Sequence, residues 1–155
     1  MAVTEYKSIH GQRLGLGSTR QLVIDGQEVE FVDNVTIALA ASSTTDGMDI
    51  TVTVVDGYGN TVTGVRELEI YMSEAATGIG ITGDTYSGDL TATTGAIISA
   101  LTAKKHWKVV TAATGIFEAT LVASANPADQ YVVCKRPITS TLVVSAASGT
   151  NWEGA

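Results

Sequence analysis

Charge, cysteine and long apolar runs are what this chain has least of. Only 16% of its 155 residues are charged, and nine Lys and Arg stand against 16 Asp and Glu, for a net charge of −7. Affinity for nucleic acid comes largely from Lys and Arg displacing counterions from phosphates, so DNA and RNA are excluded as expected partners. The single cysteine, Cys134, cannot close an internal disulfide. A small secreted fold stapled by disulfides is therefore excluded, and folding in a reducing cytoplasm is expected. No stretch reaches the apolar length of a membrane span, and Met1-Ala2-Val3-Thr4-Glu5-Tyr6-Lys7 lacks a basic segment followed by an apolar one. Neither membrane insertion nor Sec export is expected.

With 45% hydrophobic residues the chain is too apolar and too weakly charged to stay disordered. Its length suits one sizeable core and not two ordinary domains. Glycine, Thr and Val are abundant while Lys, Glu and Leu are scarce, and β-branched side chains suit a pleated surface, so an all-β fold is expected.

Residues 1–34 read as an extended N-terminal arm, punctuated by Gly11, Gly15, Gly17 and Gly26. Within it, Gln21-Leu22-Val23-Ile24 and Glu28-Val29-Glu30-Phe31-Val32 flank Asp25-Gly26-Gln27, a hairpin signal. One hairpin alone is marginally stable, so it must lean on the domain or on a neighbouring molecule.

The body, residues 35–147, carries the period of two that a half-buried strand requires. Val35 onward begins as a strand and ends as a loop near Gly47. Asp49–Asp56 places Ile50, Val52 and Val54 on one face and Thr51 and Thr53 on the other. Gly57-Tyr58-Gly59-Asn60 supplies turn chemistry. Arg66–Ser73 sends Leu68, Ile70 and Met72 inward and Glu67, Glu69 and Tyr71 outward. Residues 74–88 read as a long surface loop, while Leu90–Ala103 fits either a short helix or a strand and loop, with its neighbours favouring the latter. His106–Thr111 turns Trp107 and Val109 inward; after a tight turn at Ala113-Thr114-Gly115, Phe117, Ala119 and Leu121 share a face. Tyr131–Cys134 and Thr141–Ser145 complete the set, with Pro137 marking a strand end or sheet edge. Six or seven short strands with turn signals between them are what an antiparallel sandwich requires. Residues 148–155 read as a polar tail.

Several constellations with chemical potential fail on context. Gly78-Ile79-Gly80-Ile81-Thr82-Gly83 matches the dinucleotide-binding spacing, but Asp84-Thr85-Tyr86-Ser87-Gly88 opens no helix to hold a pyrophosphate. Asp56, Tyr58 and Asn60 are spaced like the start of a calcium loop, yet no glutamate follows at the twelfth position, and a turn capped by Asp and Asn is the better reading. His10 and His106 lie in different regions without a further ligand at metal spacing. Cys134, in Tyr-Val-Val-Cys, reads as a buried inert thiol. Lys104, Lys105 and Lys108 suit a contact with an acidic partner or a solvated edge that discourages strand pairing. Asn34-Val35-Thr36 fits a glycosylation pattern that carries no weight without export. No catalytic, metal-binding or cofactor-binding residue is assigned, and no cofactor is expected.

Thr51-Val52-Thr53-Val54-Val55-Asp56-Gly57-Tyr58-Gly59-Asn60-Thr61-Val62-Thr63-Gly64-Val65, and later Val110-Thr111-Ala112-Ala113-Thr114-Gly115-Ile116-Phe117-Glu118-Ala119, resemble the bacterial Ig-like domains of the invasin and intimin type. Those domains show a strand ending in Asp, a Gly-Asn-x-Val-x-Gly-Val turn, and later Thr-Asp-x-x-Gly before another strand; Ala112 stands here where Asp is usual. The resemblance covers roughly residues 48–136 and implies an immunoglobulin-like β-sandwich behind the arm. The whole arrangement also resembles tailed-bacteriophage virion proteins, especially head decoration (cement) proteins. That resemblance implies a non-enzymatic structural protein on the capsid surface of the virion, made in the host cytoplasm, with the major capsid protein and its own copies, as a homotrimer, for partners. Arm residues Leu14, Leu16, Leu22, Val23, Ile24, Val29 and Phe31 would then bind the partner. The alternatives are a tail or fibre-associated module that binds host-surface carbohydrate or protein through Tyr58, Tyr86 and Trp152, then a surface adhesin module, and last an enzyme.

Overall fold

The structure, a computed structural model, describes residues 5–7, 13–16, 22–24, 27–29, 34–84, 86–123, 127, 130–135 and 141–152. The chain divides into two compact units, Met1–Phe31 and Val32–Ala155.

In the first unit, β1 (Glu5–Lys7), β2 (Arg13–Leu16), β3 (Leu22–Ile24) and β4 (Gln27–Val29) form a four-stranded sheet in chain order. Each pair is antiparallel. β3 and β4 pair in the segment where the hairpin is expected, with Leu22 opposite Val29 and Ile24 opposite Gln27. Its Asp25-Gly26 turn lies outside the described residues. The sequence indicated one hairpin here, and the backbone makes three successive pairings.

Among the described residues of the second unit, nine strands form two antiparallel sheets, so the expected all-β sandwich is what the chain builds. One sheet takes β5 (Asn34–Ala41), β6 (Gly47–Val55), β11 (Ile116–Val122) and β8 (Thr91–Thr94), in that order. The other runs β13 (Leu142–Val144), β12 (Tyr131–Lys135), β7 (Glu67–Ser73), β10 (His106–Val110) and β9 (Ala96–Thr102). Alternation sets the inner faces: Ile50, Val52 and Val54 of β6 and Phe117, Ala119 and Leu121 of β11 meet Leu68, Ile70 and Met72 of β7 and Trp107 and Val109 of β10. All of these are buried, as the period of two requires.

The segment that periodicity left open, Leu90–Ala103, is strand. β8 and β9 are separated by Gly95 alone, and the chain passes there from one sheet to the other. Gly95 has φ +80°, and a Cβ on it would stand 2.3 Å from the Val110 carbonyl oxygen. Only glycine allows both the backbone and the approach. The crossing from β10 to β11 uses Gly115 in the same way: φ is +79°, with the Val62 carbonyl oxygen 1.9 Å from where a Cβ would sit.

The segment expected as a polar tail adds to the core. A 3-10 turn, Gly149–Asn151, delivers Trp152 into the sandwich, where it is 1% exposed and stacks on Tyr86 with ring centroids 6.1 Å apart. Tyr86, expected on a surface loop, is fully buried; its hydroxyl donates to Gln130 Oε1 at 3.0 Å. Gln130 in turn donates to Asp84 Oδ2 and exchanges backbone and hydroxyl bonds with Ser148. Replacing a buried Trp by Ala costs about 3–5 kcal/mol where the site cannot collapse. Trp152→Ala is accordingly expected to lower the unfolding free energy by an amount in that range; urea denaturation that leaves stability unchanged would show this end of the core to be dispensable.

Candidate functional site

Three surfaces gather the side chains with chemical or binding potential. On the outer face of the five-stranded sheet, β7 presents Glu67, Glu69 and Tyr71 between β10 and β12. Register places Glu69 opposite both Lys108 and Lys135, and Tyr71 opposite both His106 and Val133. Glu69 Oε1 accepts from His106 Nε2 at 2.8 Å and from Lys135 Nζ, while Lys108 Nζ pairs with Glu67 at 2.6 Å. Burial of Glu69 pushes its pKa up, but hydrogen bonds and charge from Lys135 and His106 more than offset this and hold the carboxyl below its ordinary 4.5.

Tyr71 corrects the sequence reading. Parity turns it outward as expected, yet it is only 6% exposed, because residues 74–83 fold over this face. Its hydroxyl donates to the Gly78 carbonyl at 2.6 Å, and the His106 ring meets it edge-on at 5.4 Å. His106 is thus a partly buried partner of Glu69, not the solvent-facing histidine expected. His10 lies outside the described residues. The loop that carries the dinucleotide-like glycine spacing is therefore a roof: no helix follows it among the described residues, and Gly78 sits against Val133 and Val144.

The lysines help hold this roof. Lys105 Nζ donates to the carbonyls of Thr82 and Gly83 at 3.2 and 2.9 Å, and Lys104 Nζ to that of Ser87 at 2.7 Å. Trp107 packs in the core as expected, with its indole N–H donated to Asp89 at 2.8 Å.

On the opposite side of the sandwich, Ser42–Thr44, Asp49, Thr51, Thr93, Glu118 and Thr120 line a polar hollow of about 400 Å³. Thr120 donates to Asp49 Oδ1 at 2.6 Å, and the Thr94 hydroxyl to Glu118 Oε2. Each carboxylate is fixed by a hydroxyl, which makes the hollow rich in hydrogen-bond acceptors.

The third surface is apolar. Ile98 and Leu101 of β9 are 50% and 51% exposed, on the strand that ends the five-stranded sheet among the described residues. Neither the edge nor these residues stood out in the sequence, because the strand itself was ambiguous there.

The remaining candidates are structural. The Asp56 carboxylate accepts from the backbone N–H of Tyr58 and Asn60 and from the Asn60 side chain, capping the turn as the sequence indicated. Those bonds, that of the Asn60 side chain above all, hold its carboxyl below the ordinary range. Tyr58 is 65% exposed, but Tyr86 and Trp152, grouped with it as exposed aromatics, are both core residues. Among the described residues no three His, Cys, Asp or Glu side chains converge as a metal would require, and no helix is long and apolar enough to cross a membrane. Of the arm residues singled out, Leu14 and Leu16 lie on β2, Leu22, Val23 and Ile24 on β3 and Val29 on β4; Phe31 lies outside the described residues. Register brings Leu14 opposite Ile24, Leu16 opposite Leu22, and Leu22 opposite Val29, with Val23 at the other parity. No known family model matches the chain, and no curated protein matches it either.

Two outcomes follow from this geometry. Cys134 is fully buried, and burial above all, with the nearby Glu69 charge, pushes its thiol up to about 12. It should react with a thiol reagent only as fast as the protein unfolds; rapid labelling under native conditions would contradict that burial. Because the Glu69 pKa is lowered by folding, its contribution to stability is fully present above its unfolded value and is lost as pH falls through the folded one. The stability gap between the wild type and Glu69→Gln should therefore shrink as pH falls below about 4.5, measured by urea unfolding at a series of acid pH values.

Proposed function

We propose that this chain is a non-enzymatic virion structural protein of a tailed bacteriophage, which binds the major capsid protein lattice and decorates and cements the head. The observation that carries the reading is the division into a sandwich with its own core and a separate sheet of three- and four-residue strands. The apolar positions of a small sheet are shielded from water when they meet another surface. Its register gathers Leu14, Leu16, Leu22, Ile24 and Val29 at positions of one parity, which is what a segment laid across a neighbouring subunit requires.

The immunoglobulin-like part of the proposal has its own support. The order β5-β6-β11 in one sheet and β13-β12-β7 in the other matches the A-B-E and G-F-C orders of such sandwiches, although β8, in the place of strand D beside β11, is followed in the chain by β9 and β10. The turn at Asp56–Asn60 and the crossing at Gly115 fall on the segments that carry the sequence resemblance. Fold alone supplies no function, so the capsid assignment rests on the two-part architecture and on that resemblance.

The test is attachment to empty expanded phage heads that lack this protein, followed by mass-resolved light scattering. Saturation at a fixed ratio to the major capsid protein is expected. Deletion of residues 2–34 should leave a folded sandwich and abolish attachment. A chain that ignores heads, or a truncation that attaches as well as the full chain, would overturn the proposal.

A further inference from the structure

The roof over Tyr71 is held by hydrogen bonds and hardly at all by apolar packing. Of residues 74–83 only Gly78 and Thr82 are buried, while Ile79 and Ile81, its two large apolar side chains, are 74% and 43% exposed. A segment that buries so little opens locally, at a lower free energy than the whole fold. What keeps it closed is concentrated at its neck.

There, Glu74 Oε1 accepts from the Thr82 hydroxyl at 2.8 Å and from the Gly83 N–H at 2.7 Å, and the Thr82 N–H donates to the Met72 carbonyl at 2.8 Å. Thr82 Oγ1 in turn accepts from the Asp84 N–H at 3.0 Å. Asp84 joins this group to the far end of the chain. Its Oδ2 accepts from Gln130 Nε2 at 2.9 Å, and Gln130 Oε1 accepts from the hydroxyl of Tyr86, whose ring stacks on Trp152. Ser148 fixes the Gln130 backbone, accepting its N–H on Oγ at 3.1 Å and donating to its carbonyl at 2.7 Å. One end of the Gln130 amide thus holds the foot of the roof, and the other holds the ring on which Trp152 rests. Gln130 is 2% exposed, so water does not replace a partner that either end loses.

We infer that the C-terminal turn, residues 148–152, is a latch on the roof. Engaged, it fixes Gln130 and Asp84 and closes the neck; released, it frees residues 74–83 and uncovers the floor formed by Tyr71, His106 and Val133. Coupling between distant segments needs an element with two arrangements, and the turn is such an element. It is a three-residue 3-10 helix that follows a three-residue strand, and Trp152 and Ser148 supply its grip on the sandwich. The latch is separate from the capsid-binding role proposed above and does not rest on it.

β12 provides the test, because it turns Val133 towards the roof, against Gly78, and Cys134 towards the core. In the full-length chain carrying Val133→Cys, the introduced thiol reports opening of the roof, and Cys134 reports opening of the core. The introduced thiol should react slowly with a thiol reagent, yet faster than Cys134. Adding Trp152→Ala, Ser148→Ala or Gln130→Met should raise its labelling rate at least tenfold; the last of these removes the side-chain bonds and leaves the backbone pair with Ser148. Ile50→Ala, a core truncation outside the network, should speed Cys134 and leave the introduced thiol within about twofold. Amide exchange at Thr82 and Gly83, with Val133 intact, should follow the same pattern. Rapid labelling at position 133 without a second substitution, rates unmoved by all three latch variants, or an equal response to Ile50→Ala would each overturn the assignment.

Discussion

A single strand can serve two sheets only if its backbone turns within one residue, and Gly95 is where this sandwich does so. β8 completes the sheet that contains β11, and β9 completes the sheet that contains β10. The left-handed backbone at Gly95 and its approach to the Val110 carbonyl bring the sheets together at that margin. Gly115 repeats the device between β10 and β11. These two crossings are among those that set the inner faces of β6, β7, β10 and β11 against each other, with Trp107 and Phe117 enclosed between them. The exposed position of β9 follows from the same geometry, since a strand that has just left one sheet enters the next at its rim.

Wherever a strand had one buried face, local sequence was enough to find it. Ile50, Val52 and Val54, then Leu68, Ile70 and Met72, then Phe117, Ala119 and Leu121 all alternate cleanly and all line the core. Turn chemistry was equally readable at Asp56–Asn60, because an Asx-capped turn is specified by the four or five residues that form it. Alternation could not resolve Leu90–Ala103, where one strand is divided between two sheets and then bulged twice, so that no single period runs through it.

Tyr71, Tyr86 and Trp152 eluded the sequence for a different reason. Each is buried by residues outside its own strand or turn: Tyr71 beneath the loop that follows β7, and Tyr86 and Trp152, distant in the chain, against each other. Parity says which way a side chain points and nothing about what lies over it. The lysines of the β9–β10 turn show the same limit, since their partners are carbonyls of residues 82, 83 and 87, which sequence reading had left to solvent. The candidate surfaces were least legible of all, because exposure at an edge is a property of strand order and not of any one strand.

The two tryptophans occupy unlike settings within one core. Trp107 gives its indole N–H to Asp89, whereas that of Trp152 has no hydrogen-bond partner among the described residues and its ring stacks on that of Tyr86. Their emission should differ in colour and in quenching, so the protein carries two built-in optical probes. One reports on the central strands, and the other on whether the C-terminal turn is seated.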